Sequence, residues 1–330
     1  MRIRLESPTL SFVLRRLIQT IPAVLAIASL NFLLIHIAPG DAAELLAGLG
    51  GHATLEYIEQ LRREFGLDQP LYTQYLLYLK RLLTFDLGTS FLQKIPVIDL
   101  ILVRLPATLL LMTSALLLAI GLGVGLGVVA ATRYRTWIDN VVSIAGLIIY
   151  ATPQFWLGLM LIVLFSIKLD LLPTGGMMQI GADKRGLLLA LDVLWHLVLP
   201  ALTLGLFYLA VYTRLMRASM LEVLSADYIT AARAKGLSEW VVAWRHAARN
   251  ALLPVLTLAG VQIGHLLGGS ILIETVFGWP GLGRLVFDAL MQRDVNLLLG
   301  ILFLSSVLVI LANLLVDLLY GVLDPRIVYR

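Results

Sequence analysis

Long uncharged apolar runs alternate with short polar breaks along this chain. Runs near residues 17–38, 107–131, 141–167, 193–213, 251–273 and 297–320 each reach roughly the 20 residues that cross a bilayer as a helix. They are continuous rather than alternating, which fits helices and excludes a closed β-barrel. Leu17–Ala38 carries Pro22 near its start, and Asn31 and His36 toward its far end as interfacial or helix-contact groups. It is too long for a signal-peptide core and reads as a span retained in the mature protein. The second span is expected to open at Pro106, a residue suited to the first helical turn. Its Gly121, Gly123, Gly125 and Gly127 lie inside an apolar run with no strand before them, so they are not a nucleotide loop. They build a smooth face for close helix packing, either static or moving. The third span has Pro153 at its middle, which frees a carbonyl and bends the helix. Thr152-Pro153-Gln154 is either a plain kink or part of a pathway. The fourth is expected to be interrupted by Pro200, with Gly186–Trp195 ahead of it lying along the interface. The fifth contains Gln262 and His265, which either line a cavity or pack against a helix.

The polar breaks have their own patterns. After the stop at Pro39-Gly40-Asp41, a segment running to about Arg104 predicts two amphipathic helices. Leu55, Ile58, Leu61 and Phe65 share one apolar face. Tyr75, Leu76, Tyr78, Leu79 and Leu82 mark a second helix, begun by Asp68 and Pro70 and ended by Asp86–Ser90. Such a segment makes a small helical cap rather than a large domain. Lys168–Arg185 is a loop with turn signals at Pro173, Gly175 and Gly176. Glu274–Asn296 reads as a short turn, tightened by Gly278, Pro280, Gly281 and Gly283 and tipped by Phe277, Trp279 and Leu282.

The longest polar interruption of the C-terminal half is Tyr228–Pro254. Ser225 is expected to cap a helix over about Ala226–Lys235, Gly236 to end it with a positive φ, and Ser238 to cap a second helix from Glu239 into the next span. At about 100° per residue, Trp240, Trp244, Ala247, Ala248 and Ala251 share one face, and Glu239, Arg245, His246 and Arg249 the other. The first helix shows small residues, Ala231, Ala232 and Ala234, beside Arg233 and Lys235, so that another surface can approach its backbone. Helix physics leaves two readings: a loop whose bases only set topology, or a handle for a partner.

Composition narrows the class. Hydrophobic residues make up 59% of the 330, well above the roughly 45–50% of soluble domains, and mean hydropathy is +0.91. The chain is a polytopic all-α membrane protein. Lys and Arg collect at Arg2, Arg4, Arg15 and Arg16, at Arg133 and Arg135, along Arg214–Arg249, and at Arg326 and Arg330. The positive-inside rule therefore puts both termini and the charged stretch in the cytoplasm. The net charge of +4 comes from this topology and does not signal nucleic acid. There is no cysteine and no ligand set for a metal. No P-loop occurs, so any ATP and Mg²⁺ would sit on separate subunits and this chain needs no cofactor. Intramembrane ionisable groups are too few for a proton relay, Asp317 reading as interfacial, whereas a sodium site built from carbonyls stays open.

Several stretches resemble one known family. Ala232-Arg233-Ala234-Lys235-Gly236-Leu237 and His246–Pro254 are similar to the EAA loop of bacterial ABC importer permeases, in the form found in the dipeptide/oligopeptide permeases. The leading Glu of the general loop is Thr230 here, and the spacing from Gly236 to Pro254 is longer than in sugar permeases; both suit the peptide subfamily. GLDQPLYTQYLLYL, DLGTSF, RLPATL, the 274–296 segment and the closing Asp324-Pro325-Arg326 also match B-type subunits, so the resemblance runs from Arg16 to Arg330. It implies a type I ABC importer permease fold with six transmembrane helices: a tail and first helix (1–38), a periplasmic insertion (39–105) and a permease core (106–330) with its cytoplasmic coupling loop at 214–250. It implies a non-enzymatic inner-membrane transport subunit with a second homologous permease, two ABC ATPase subunits and an extracytoplasmic substrate-binding protein. The implied substrates are di- or oligopeptides, with nickel or glutathione as alternatives. On this reading Ala231, Ala232, Arg233, Lys235, Gly236, Leu237, Ser238, Glu239 and Trp240 contact the ATPase. Phe277, Trp279, Pro280 and Gly281 reach toward the binding protein, and Pro153, Gln154, Gln262 and His265 are candidates to line the pathway. A secondary transporter or channel, and a membrane scaffold, are the other function classes.

Overall fold

The computed structural model describes residues 8–37, 54–64 and 68–323. Its regular structure is helical: α1 (Pro8–Ile37), α2 (Leu55–Glu64), α3 (Leu71–Leu83), α4 (Val97–Thr132), α5 (Trp137–Ala151), α6 (Gln154–Leu161, running on as a π-helix over Ile162–Lys168), α7 (Leu187–Leu224), α8 (Asp227–Ala234), α9 (Glu239–Val241), a π-helical stretch Val242–Ala247, α10 (Ala248–Val276), α11 (Leu282–Met291) and α12 (Val295–Leu323). Among the described residues, α4, α7 and Val295–Leu314 of α12 are long and apolar enough to cross a membrane, and α1 holds a shorter apolar stretch, Ile18–Leu34. Each expected span coincides with a helix or, once, with a broken pair. The expected stop at Pro39-Gly40-Asp41, together with Phe65, Arg2, Arg4 and Asp324-Pro325-Arg326, lies outside the described residues, as does the side chain of Asp317.

Two expectations about proline are corrected, and the expected bend at a third is exceeded. Pro106 does not open the second span: α4 begins at Val97 and Pro106 sits inside it. Pro200 does not interrupt α7, and the stretch expected to lie along the interface forms the first turns of that helix. A proline costs one hydrogen bond and a bend, which long apolar helices held by neighbours absorb. Pro153 does the opposite and does more than bend its span: α5 and α6 meet at 106°. Thr152 and Pro153 are both extended, at ψ 130° and 129°, because a residue before proline is driven from the helical region. The 274–296 segment is not merely a turn either, since Leu282, Leu285 and Ala289 recur at helical spacing along α11.

The described chain divides into two compact units. In the unit formed by residues 1–103 and 288–330, α1 packs against α12. Asn31 Nδ2 donates to Leu299 O at 3.4 Å. Asp294, buried, accepts from Ser90 Oγ and caps α12 by accepting from Leu297 N at 3.1 Å.

The unit formed by residues 104–287 is built around α7, which packs against α5, α6 and α10. Leu204, Tyr208, Tyr212, Met216 and Met220 of α7 join Leu111, Ala115 and Ala119 of α4 and Ala251 and Val255 of α10 in one buried cluster. The glycines of α4 split by face. A Cβ on Gly123 or Gly127 would come within 2.9 Å of Tyr212 Cβ or 2.6 Å of Met216 Cβ. One on Gly121 or Gly125 would meet nothing within 4 Å. Of the four glycines of α4, Gly123 and Gly127, spaced i and i+4, face α7 closely.

Candidate partner interface

The charged stretch stands at the end of a helix too long for a bilayer. At 1.5 Å per residue α7 measures about 57 Å, against a hydrocarbon core of about 30 Å. Arg214 and Arg217, expected in a loop, form its final turns. Arg217 makes a two-pronged ion pair with buried Asp139 at the start of α5, Nη2 to Oδ2 being 2.8 Å. Asp139 also accepts from Arg135 N at 3.0 Å, and the Arg217 guanidinium lies 5.5 Å from the centre of the Tyr134 ring. The connection after α4 is thereby tied to the base of α7.

Beyond Leu224 the chain turns into α8. Ser225 does not cap it: its hydroxyl donates back to Glu222 O at 2.7 Å, and the extended residue at the helix entry is Ala226. Gly236 ends the turn with φ +77°, as expected, where a side chain would be strained. Ser238 precedes α9 without a side-chain capping bond. Arg233 Nε and Nη2 donate to Glu239 Oε1 and Oε2 at 2.9 and 3.2 Å across the Gly236 turn, and Asn250 Nδ2 donates to Tyr228 Oη at 2.8 Å.

Burial shows which surface is left over. Ile229 and Ala232 of α8 are buried with Val242, Ala243, Ala247 and Ala251 in the cluster under α7. Ala231, Arg233, Lys235, Gly236, Leu237, Ser238, Glu239 and Trp240 are exposed, Trp240 at 71%. The expected face of Trp240 and Trp244 with Ala247 is therefore wrong. Val242–Ala247 is π-helical, each residue advances less than in an α-helix, and both tryptophans rotate outward. Ala232, expected at the surface, faces inward. The result is a braced helix–turn–helix presenting small residues, bases and two indoles.

At the other end of this unit, the 274–283 segment is clamped rather than presented. Phe277, Trp279 and Gly281 are buried and Pro280 is half-buried. Trp279 Nε1 donates to Ala107 O at 2.8 Å. Glu274, fully buried, accepts from Thr108 Oγ1 at 2.7 Å and from Arg284 N at 3.0 Å, while Thr108 Oγ1 accepts from Leu282 N. Of the four turn-forming residues only Gly278 needs a positive φ, +60°. A Cβ on Gly281 would land on the Glu274 carboxylate, and one on Gly283 would stand 2.6 Å from Ile271 Cα. Gly176 N donates to Phe277 O at 2.7 Å, joining the 169–186 loop to this clamp. The same loop reaches α7 through Asp192, which accepts from Lys184 Nζ at 2.7 Å and Gln179 N at 2.8 Å. Asp139, Asp192 and Glu274 were not singled out from sequence. Each is a lone acid at the edge of an apolar run, a pattern that marks a paired or hydrogen-bonded carboxylate.

The remaining sequence-based candidates are spread over α6 and α10, which pack together. Pro153 is exposed and Gln154 half-buried at the α5–α6 break. Gln262 buries its Oε1 with no hydrogen-bond partner among the described residues. The side chain of His265 lies outside the described residues. No cluster of three or more metal-ligating side chains occurs among the described residues.

Comparison with known proteins adds sequence and fold. Residues 123–329 match the family model described as binding-protein-dependent transport system inner membrane component, and residues 9–112 match the model for the N-terminal part of such membrane components. The chain is similar to the dipeptide transport system permease protein DppB of Escherichia coli (strain K12), at 42% identity over 97% of this chain and 99% of that protein. It is similar to the oligopeptide transport system permease protein AppB of Bacillus subtilis (strain 168), at 40% over 97% and 99%. The glutathione transport system permease protein GsiC of Escherichia coli (strain K12) is 41% identical over 97% and 100%. Among solved structures, a chain of the inward-facing MetNI methionine ABC transporter aligns with TM-score 0.55 and 18% identity, over 69% of this chain and 97% of that one. The last likeness shows the fold alone.

Proposed function

This chain belongs to the family of inner membrane components of binding-protein-dependent transport systems, and from that premise we propose that it is one permease half of an ATP-driven importer for di- or oligopeptides or related small solutes. The names of its relatives support the solute class, glutathione being itself a small peptide. A second homologous permease completes the pore, two ATPase subunits sit on the cytoplasmic side, and a binding protein delivers solute on the other. The basic clusters keep the termini and residues 214–250 in the cytoplasm, and 39–105 forms the extracytoplasmic insertion. This chain hydrolyses nothing itself.

The observation that carries this reading is the braced helix–turn–helix at Asp227–Val241. Its underside is locked into the α7–α10 core, while its outer side, Ala231, Arg233, Lys235, Leu237 and Trp240, is bare. A part so built moves as one body: a push on its outer side is delivered to α7 and α10 rather than lost in the loop. Closure of the ATPase dimer supplies the push, and rocking of the two permeases exchanges the open side.

Ala231→Trp tests this. Residue 231 is exposed and helical, so the bulky ring strains nothing within the chain and blocks only an approaching surface. Uptake into proteoliposomes holding the complete transporter is expected to collapse, with membrane insertion intact and ATP hydrolysis no longer stimulated by loaded binding protein. Normal uptake would refute the lever. Ala232→Asp, whose site is buried, would confuse loss of docking with loss of folding.

A further inference from the structure

One turn of α3 is joined to two turns of α1. Ser29 Oγ and Tyr75 Oη share a hydrogen bond of 2.7 Å, and His36 Nε2 lies 3.1 Å from Gln74 Oε1. The Phe32 ring stands 5.2 Å from that of Tyr75 and 5.8 Å from that of Tyr78. These contacts set the depth of α3. The apolar run that forms α1 ends near Ala38, before Pro39-Gly40-Asp41, so His36 stands in its last turn and Ser29 about two turns further in. A helix bonded to both sits where α1 leaves the hydrocarbon.

The flank that α3 turns away from α1 is apolar. Tyr72, Leu76 and Leu83 are 71%, 61% and 83% exposed, and at about 100° per residue they form one stripe. Lys80, exposed, stands at the edge of that stripe. Exposed Leu30, Leu33, Leu34 and Ile37 on the same end of α1 make the neighbouring lipid-facing surface. Three large apolar side chains on one flank with a lysine beside them are the pattern of a helix lying in the plane of a membrane interface.

We propose that α3 rests in the interface of the leaflet into which the C-terminal end of α1 emerges. Tyr72, Leu76 and Leu83 enter the upper acyl region, and Lys80 extends along them to the phosphate of an anionic phospholipid. The insertion thereby becomes a float that holds the outer end of α1 at a fixed height. This stands on α1 being a span and is independent of what the transporter carries.

The chain has no cysteine, so a single introduced thiol can be spin-labelled selectively. Leu76→Cys and, about 100° further round the helix and outside the stripe, Leu77→Cys are labelled in the full chain and reconstituted in nanodiscs of mixed zwitterionic and anionic phospholipid. Both positions are exposed, so neither change disturbs packing. At 76, dissolved oxygen is expected to relax the label several-fold more than a water-soluble nickel chelate; at 77 the order reverses. Nickel dominance at 76 would overturn the proposal, as would equal behaviour at the two sites. Low access to both reagents at 76 would also overturn it, by placing a protein partner on this flank. Adding Lys80→Glu should raise nickel access at 76 in anionic nanodiscs but not in purely zwitterionic ones; no difference between the two would remove the headgroup contact.

Discussion

Gly127 and Gly121 differ in sequence context hardly at all and in structure completely. A methyl group on Gly127 would lie 2.9 Å from Thr213 O and 2.6 Å from Met216 Cβ, both on α7. Gly127→Ala is therefore expected to force the helices apart at a cost of about 1–3 kcal/mol, lowering the thermal midpoint in detergent, whereas Gly121→Ala leaves it unchanged. Arg217 offers a second test. Arg217→Met strands the buried Asp139 carboxylate, and a broken buried pair costs about 3–5 kcal/mol, so the variant should melt well below the parent. Asp139→Asn added to it should recover most of that loss, which the same melting experiment reads. Sequence reasoning identified the glycine face but not which glycines form it, because spacing alone does not say where the neighbouring helix lies. It placed Gly236 correctly, since a positive φ is a local property. It misplaced Ser225, whose hydroxyl had two backbone partners within reach, and it turned Trp240 and Trp244 inward because nothing in Val242–Ala247 announces a π-helix.

Among the elements, lengths and positions were the legible part. Apolar periodicity located α2 and α3 and every expected span, because membrane length leaves few alternatives. Breaks were less legible: Pro106 and Pro200 are carried inside continuous helices, whereas Pro153 divides its span. A proline inside an apolar run does not by itself say which of the two it will do. Pro153 sits where Gly158, one turn on, brings α6 within 3.2 Å, at its Cβ position, of the Phe277 ring and 3.3 Å of Thr203 Cγ2. If the proline itself makes the break, Pro153→Ala should let residue 152 return to helical angles and straighten the pair. Spin labels at Leu147→Cys and Met160→Cys, both exposed, should then move apart in a pulsed dipolar measurement. An unchanged distance would assign the break to the packing of α6 instead.

For the molecule as a whole, the account rests on a division of labour. In the proposed function this chain supplies helices that rock and a rigid basic projection by which to rock them, and the chemistry that drives the motion is assigned to another subunit. That projection was visible in sequence as charge and small residues, but its bracing was not, since Ile229, Ala232 and Val242 become an underside only once α7 and α10 are in place. The most direct test uses Trp240→Cys as the single thiol of the chain, in inverted membrane vesicles treated with a short thiol-reactive crosslinker. The account predicts an adduct between residue 240 and a nucleotide-hydrolysing subunit, formed in inverted vesicles and absent from intact cells given an impermeant reagent. A thiol that reacts from outside intact cells, or one that is accessible in inverted vesicles yet never joins such a subunit, would contradict it.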